Sequence, residues 1–247
     1  MLLEERLGKI VEIVNIKKTV TVQELMEQLQ VSESTIRRNL SILDDMGKIT
    51  KVFGGAIANN ITYRTKDDNV EERKNSHRED KISIARYAAS LINSDDFIYM
   101  DAGTTVECMI PFIPHCGAKF VTNGFSHAKE LSKVGFQTHL IGGEIKLSTE
   151  SIIGSEAIRA LSKYNFTKGF FGVNGISHER GCSTPDIREA MVKKMAIEQS
   201  LKKYVLADNS KFSQLSCVTF ASFSEVTIIT TNLKDKVFIS AENIINI

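Results

Sequence analysis

The chain reads as an α/β protein in which a small, mostly helical module precedes a larger domain built on an open, mostly parallel sheet. Three observations predict this. Apolar residues recur at helical spacing through the first 45 positions. A strand, a glycine turn and a returning strand follow at 48–58. From residue 97 onward, six short apolar runs alternate with helical stretches, the rhythm of parallel strands joined by crossover helices. The length of 247 residues agrees, because it leaves an ordinary domain after a small module and a linker. The boundaries expected are 1–58 for the first domain, 59–80 for the linker and 81–247 for the second domain.

In the first domain, Leu3, Leu7, Ile10 and Val14 give one helix an apolar face. Thr21-Val22-Gln23-Glu24 fits a capping box, in which hydroxyl and carboxylate each satisfy an orphaned backbone N–H, and Leu25 and Leu29 form the buried stripe of the helix it opens. Ser32 or Ser34 then caps a third helix, which Gly47 stops. Ile36, Leu40 and Leu43 step by four and three and pack inward, while Ser34, Arg37, Arg38, Ser41 and Asp45 fall on or near the other side. Residues 48–53 alternate like a strand, Gly54-Gly55 turns, and Ala56-Ile57-Ala58 returns, the layout of a wing.

Two short helices, a tight link and a basic hairpin form a winged helix-turn-helix, whose second motif helix presents hydroxyls and guanidinium groups to the major groove. The candidate DNA contacts are Thr21, Ser32, Ser34, Thr35, Arg37, Arg38 and Lys51. Residues 1–56 hold eight Lys and Arg against eight Asp and Glu, so no net basic field supports the reading, and arrangement carries it. The competing reading is a small interaction domain with a charged solvent face.

The polar, charge-dense stretch 59–80 lacks an apolar period and reads as a linker turning helical toward its end. Ile82, Ala85, Ala88, Ala89 and Ile92 then mark a helix covering the sheet. Candidate strands are 97–100, 119–122, 138–141, 169–173, 204–207 and 226–230. Ligands of such sheets bind at the carboxyl ends of the strands, where this chain concentrates small and polar residues. Gly103, Thr104 and Thr105, leading into a helix at 106–110, form an anion cradle. Thr122, Asn123, Gly143, Asn174, Gly175, Asp208 and Lys211 follow the later strands, and Asp101, Asn123, Asn174 and Asp208 are candidates to bond hydroxyls while Lys211 neutralises charge. Thr184 as cap with Pro185 at the first helical position starts a helix that carries Glu189 toward the same edge, and Lys193, four residues on, reads as the partner of Glu189 in a surface ion pair. Tight structural turns are the alternative account of these post-strand residues.

A net charge of +1 and 42 % hydrophobic residues exclude a polycation and a disordered tail. No apolar run approaches the ~20 residues that span a bilayer, and an acidic amphipathic helix stands where a signal peptide would, so a cytoplasmic protein is expected. Four cysteines without CxxC spacing and five dispersed histidines predict neither a disulfide framework nor a metal site, and no cofactor is expected.

The run TVQELMEQLQVSESTIRRNLSILDDMGKITKVFGGA resembles the DNA-binding domain of the DeoR family of bacterial sugar-metabolism repressors. It departs at Asn39, where the family usually has aspartate. The segments YMDAGTT, VTNG, LIGG, FFGVNGI, GCSTPDIREAMVKK and LADNSKF, in that order, resemble the family's sensor domain, so the resemblance covers essentially the whole chain. That sensor is similar to ribose-5-phosphate isomerase, whose phosphate loop matches Gly103-Thr104-Thr105, whose glutamate matches Glu189 and whose lysine matches Lys211. The isomerase's acid pair falls on Phe171 and Asn174, which cannot exchange a proton at neutral pH. The resemblance therefore implies a DNA-binding repressor of a carbohydrate operon, a phosphorylated sugar as effector, an operator of double-stranded DNA as partner, and a homodimer or homotetramer formed by the sensor domain. An isomerase-like enzyme with an accessory N-terminal domain is the alternative, and a regulator with a vestigial pocket is a third.

Overall fold

The computed structural model describes residues 2–17, 19–58, 62–64 and 69–247, and the chain divides into two units, Met1–Ile61 and Thr62–Ile247. In the first unit, α1 (Leu3–Lys17), β1 (Thr19–Thr21), α2 (Val22–Leu29), α3 (Glu33–Asp45), β2 (Ile49–Val52) and β3 (Gly55–Ala58) enclose one apolar core. Ile10 and Val14 from α1, Leu25 and Leu29 from α2, and Ile36, Leu40 and Leu43 from α3 meet there, as their spacing requires, while Leu3 stays exposed. The capping box forms in full: the Glu24 N–H donates to the Thr21 hydroxyl, and the Thr21 N–H donates to the Glu24 carboxylate at 2.7 Å. Ser32, not Ser34, occupies the N-cap position of α3.

The wing differs in two details. Its turn is centred on Phe53-Gly54, one residue earlier than expected, with Gly54 at φ +82°. Gly55 already belongs to the returning strand, where a Cβ would stand 2.1 Å from the Val20 carbonyl oxygen. That close approach lets β1 add to the hairpin, giving the order β1-β3-β2. A three-residue strand has too few positions to show a period, so β1 is invisible to pattern analysis.

The second unit begins with β4 (Thr62–Arg64), α4 (Val70–Asn75) and α5 (Arg78–Ser90). Of the expected linker, residues 59–61 and 65–68 lie outside the described residues. From Val70 the chain is largely helical, Val70 is buried, and α5 starts three residues before Lys81. Ile84, rather than Ile82, shares the buried face of α5 with Ala85, Ala88 and Ala89.

The sheet follows: β5 (Phe97–Met100), α6 (Thr104–Glu107), β6 (Lys119–Thr122), α7 (Phe125–Lys133), β7 (Thr138–Leu140), β8 (Glu144–Lys146), β9 (Ser151–Ile153), α8 (Ser155–Leu161), β10 (Phe166–Gly172), β11 (Gly175–Ser177), β12 (Gly181–Thr184), α9 (Ile187–Glu198), β13 (Ser200–Leu206), β14 (Gln214–Ser216), β15 (Val218–Ala221), β16 (Thr227–Thr230), α10 (Lys236–Ile239) and β17 (Ile244–Asn246). Seven strands in the order β17-β16-β13-β10-β5-β6-β7 run parallel throughout. Six correspond to the six expected runs, and β17 adds an edge. Small antiparallel pairings, β8 with β9 and β11-β12-β15, lie outside the six expected runs. The strand order changes direction about β10 and β5, and crevices of such sheets open beyond the carboxyl ends of the strands at that point. Apolar clusters on both faces hold the sheet, with Tyr99, Phe166 and Phe171 on one and Phe120 and Phe170 on the other.

Candidate functional site

On the first unit, the start of α3 carries a ring of hydroxyls: Ser32 Oγ lies 3.2 Å from Ser34 Oγ and 2.9 Å from Thr35 Oγ1. Arg37 and Arg38 are exposed on the next turn. Arg37 is drawn to Glu33 at 2.7 Å, and Lys51 of the wing donates to Ser41 at 2.7 Å, which ties wing and helix into one polar surface. Thr21 serves first as the α2 cap. Asn39 turns inward and is buried, its Nδ2 without a hydrogen-bond partner.

On the second unit, a cleft of roughly 660 Å³, counting the space open to solvent, lies at the carboxyl ends of β5 and β10. Its floor is a close approach of two glycines: a Cβ on Gly103 would stand 3.1 Å from the Gly172 Cα. Eight expected residues line it, namely Asp101, Gly103, Thr104, Thr105, Asn123, Asn174, Glu189 and Lys211.

Several of these have a duty other than the expected one. Asp101 Oδ2 accepts from the Gly172 N–H at 2.9 Å and from the Lys193 ammonium, so it locks the ends of β5 and β10 together. Lys193 is therefore not the surface partner of Glu189. It is buried, donates also to the Gly172 carbonyl at 3.2 Å, and lies over the Phe220 ring. Asn123 is likewise committed: its Oδ1 accepts from Tyr99 Oη and from the Ala102 N–H, both at 3.0 Å, and its Nδ2 donates to the Ile152 carbonyl. These bonds make it shape the loop after β5 while it lines the cleft.

Five expected residues fall outside the lining. Thr122 Oγ1 accepts from the Gly124 N–H in a turn. Gly143, at φ +151°, is pressed against the Ile153 carbonyl, and Gly175 against the backbone of Gln214. Thr184 ends β12 and donates to Asn174 Oδ1 at 3.0 Å; the cap of α9 is instead Asp186, which accepts from the Arg188 N–H at 2.7 Å and leaves Pro185 outside the helix. Asp208 caps residues 209–211 through the Ser210 N–H, and its Oδ2 is buried without a hydrogen-bond partner.

Two polar groups remain turned to the cleft. One is cationic. Lys81 is only 3 % exposed, and its ammonium donates to the Arg73 carbonyl and to Thr104 Oγ1 at 3.3 Å. Burial lowers its pKa, opposed by the carboxylate of Asp208. Arg73 and Lys211 line the same cleft, and Arg73 Nε and Nη2 are buried without a hydrogen-bond partner. The helix α6 contributes hydroxyls more than dipole, because it is only four residues long. The other group is acidic: Glu189 Oε1 accepts from Thr149 Oγ1 at 2.5 Å and from Ser151 Oγ at 3.2 Å, and lies 3.3 Å from Lys146 Nζ. Cations among hydroxyls suit an oxyanion, and a carboxylate among hydroxyls suits a polyol. Among the described residues no group of His, Cys, Asp and Glu is placed to hold a metal ion.

Residues 6–62 match the DeoR-like helix-turn-helix domain, and residues 76–233 match the DeoR C terminal sensor domain. The chain belongs to the DeoR family. This DeoR-family protein is 42 % identical over 240 residues to the uncharacterized HTH-type transcriptional regulator FruR of Bacillus subtilis, covering 96 % of this chain and 94 % of the relative. It is 35 % identical over 235 residues to the lactose phosphotransferase system repressor of Streptococcus mutans, covering 94 % and 93 %. Among solved structures, ribose 5-phosphate isomerase A of Methanocaldococcus jannaschii aligns at 14 % identity and a TM-score of 0.42, over 56 % of this chain and 55 % of that one. The protein is a helix-turn-helix transcriptional regulator with a C-terminal sensor domain, and no helix among its described residues is long and apolar enough to cross a membrane.

The cleft residues that sequence reasoning missed in this DeoR-family protein are Arg73, Lys81, Thr149 and Ser151, while Lys193 was assigned to the helix surface. Arg73 sits in the stretch expected to be linker, and Thr149 and Ser151 lie at the β8–β9 hairpin. For Lys81 a signal existed: it stands one residue before Ile82 and three before Ile84, on the side of α5 that the apolar residues bury.

Proposed function

We propose that this regulator represses a carbohydrate-utilisation operon in the cytoplasm, that a phosphorylated sugar occupies the cleft as its effector, and that a homodimer or homotetramer formed by the sensor domain sets two recognition helices on one operator. The observation that carries the reading is the Lys81 ammonium, withdrawn from water among a carbonyl and a hydroxyl and accompanied by Arg73 and Lys211. Buried cations call for an anion, and a phosphoryl group supplies one with three acceptor oxygens. Glu189, Thr149 and Ser151 supply acceptors and donors for sugar hydroxyls. The names of the lactose phosphotransferase system repressors support the same class of effector.

Assembly is supported by exposed apolar side chains grouped about one salt bridge: Ile145 and Leu147 on the β8 hairpin and Ile187 and Met191 at the start of α9, with Arg188 bonded to Glu144 at 2.9 Å between those elements. An effector alters DNA affinity only if it binds the DNA-competent and DNA-incompetent arrangements unequally. Fluorescence anisotropy on the DNA upstream of the chain's own operon, at one salt concentration, tests this. One phosphosugar is expected to shift operator affinity by about 5- to 150-fold, while its unphosphorylated parent does not. Phosphosugars that bind the protein and leave operator affinity unchanged overturn the reading.

A further inference from the structure

We propose that Phe53, at the tip of the wing, is a DNA-contacting residue whose ring wedges into the minor groove at a flexible pyrimidine–purine step beside the bases read by α3. The wing then selects operators by how readily they deform. The inference rests on the operator reading above and is independent of the cleft and its effector.

Phe53 and Gly54 form the two-residue loop of the hairpin, closed by the pair Val52 and Gly55. Nothing in the loop calls for an aromatic ring: Gly54 supplies the left-handed backbone at φ +82°, and the position before it suits proline or a small polar residue. Yet Phe53 is 107 % exposed, while Ile49 at the other end of β2 is buried in the core. A single exposed apolar residue is ordinary on a protein surface, and it is the placement that singles this one out. The wing is fixed to the recognition helix. The Lys51 N–H donates to the Asp44 carboxylate at 2.9 Å, the Lys48 N–H to the Leu43 carbonyl at 2.8 Å, and the Lys51 ammonium to Ser41 Oγ at 2.7 Å. Ser41 stands one turn after Arg37 and donates to its carbonyl, so Lys51 flanks the face that carries the arginines. Lys51 and Phe53 are both exposed and two residues apart, with half-buried Val52 between them, so both leave the hairpin on that side.

A helix with its side chains is about 10–12 Å across and fills the major groove, which is ~12 Å wide. A hairpin packed beside that helix has no room in the same groove. Lys51, bonded to α3, meets the phosphate strand that bounds the groove, and the tip two residues on reaches the minor groove beyond it. A benzene ring has no hydrogen bond to offer the acceptors there, so it reads no base edge. Its gain comes from burial, and burial between base pairs requires the step to open. TA and CA steps unstack and kink at the least cost, and apolar side chains wedged into the minor groove bend the duplex toward the major groove. The preference that Phe53 adds therefore falls on base pairs that α3 does not touch.

The test uses the full chain and the DNA upstream of its own operon, with 2-aminopurine in place of the adenine at each TA and CA step inside the hydroxyl-radical footprint. The wild type is expected to raise 2-aminopurine fluorescence at a step flanking the α3 contacts, the sign of unstacking. Phe53→Ala is expected to lose that rise and to bind about ten- to a hundredfold more weakly, with the salt slope unchanged because no phosphate contact is lost. Phe53→Leu, which keeps an apolar wedge, restores part of both. Arg38→Ala weakens binding through α3 yet keeps the fluorescence rise at saturation, which separates the wing from the helix. Thermal unfolding of Phe53→Ala stays at the wild-type midpoint, and a lowered midpoint would show the ring serving the fold, against the inference. Wild-type operator affinity in Phe53→Ala overturns it, the result expected if the tip serves a protein partner. So does weakened binding with the fluorescence rise intact, or with a shallower salt slope, and the operator reading then still stands. A wild type that binds this DNA no better than random duplex takes both readings down together.

Discussion

On the outward surface of α3 the charged groups stay in water and satisfy one another across it: Arg37 with Glu33, Lys51 with Ser41, and Arg38 exposed beside them. In the sensor cleft the cations are withdrawn from water, with Lys193 against Asp101 and Lys81 against a carbonyl and a hydroxyl. An exposed pair contributes little to stability and lets go of its partner cheaply, which suits a surface that must trade protein contacts for phosphates and bases. A buried charge must be matched wherever it stands, which suits a site that waits for one ligand of opposite sign. Substitutions should therefore act through stability at the cleft and through affinity at the helix.

The largest effect expected is for Lys193→Met, which leaves the Asp101 carboxylate buried with the Gly172 N–H as its described remaining donor. A loss of about 3–5 kcal/mol is expected, read by urea unfolding of the sensor. A loss under ~1 kcal/mol contradicts the contrast between the regions. Next comes Arg38→Ala, expected to cost about 1–3 kcal/mol of operator affinity while unfolding is little changed, whereas Lys51→Ala weakens all DNA alike and reduces the salt slope by about one. Equal losses on operator and random DNA for Arg38→Ala break the assignment of that residue to base reading.

The smallest effect concerns the α2 cap. Thr21→Ala is expected to cost about 1 kcal/mol in unfolding experiments. In the intact cap the Thr21 N–H, then the Lys17 ammonium and the Thr21 hydroxyl, hold the Glu24 pKa down at about 2. Because the folded value lies below the ordinary 4.5, the carboxylate's contribution is complete above that pH and fades as pH falls toward 2. A carboxyl NMR titration of Glu24 checks it, and a midpoint above 4 contradicts the cap geometry.

The two regions also differ in how far the sequence discloses them. The recognition surface is local: capping box, apolar stripe and exposed polar face all lie within a few turns, so pattern alone places Ser32, Arg37 and Arg38. The wing turn fell one residue early and β1 escaped, since its place depends on Gly55 meeting Val20 across the sheet. The cleft is assembled from distant segments. The post-strand loops announced Gly103, Thr104 and Thr105, because parallel sheets send such loops to one edge, and the helix after β12 announced Glu189. Asp101 and Lys193 stand 92 residues apart, and no spacing rule joins them. A lysine four residues after Glu189 looks like a helix-surface pair until the fold buries that face of α9. Thr184 shows the same limit: Thr-Pro resembles a helix start, yet pairing of β12 with β11 and β15 claims Thr184 for a strand and leaves Asp186 as the cap.

The central claim, that one ligand in the cleft and one operator on α3 act on a shared equilibrium, is tested most directly by measuring the coupling from both sides. The affinity of the effective phosphosugar is measured for free protein and for operator-saturated protein at one salt concentration, and the ratio compared with the shift the phosphosugar causes in operator affinity. The account predicts the same factor in both directions, within about 5- to 150-fold. Identical phosphosugar affinity for free and operator-bound protein would contradict it.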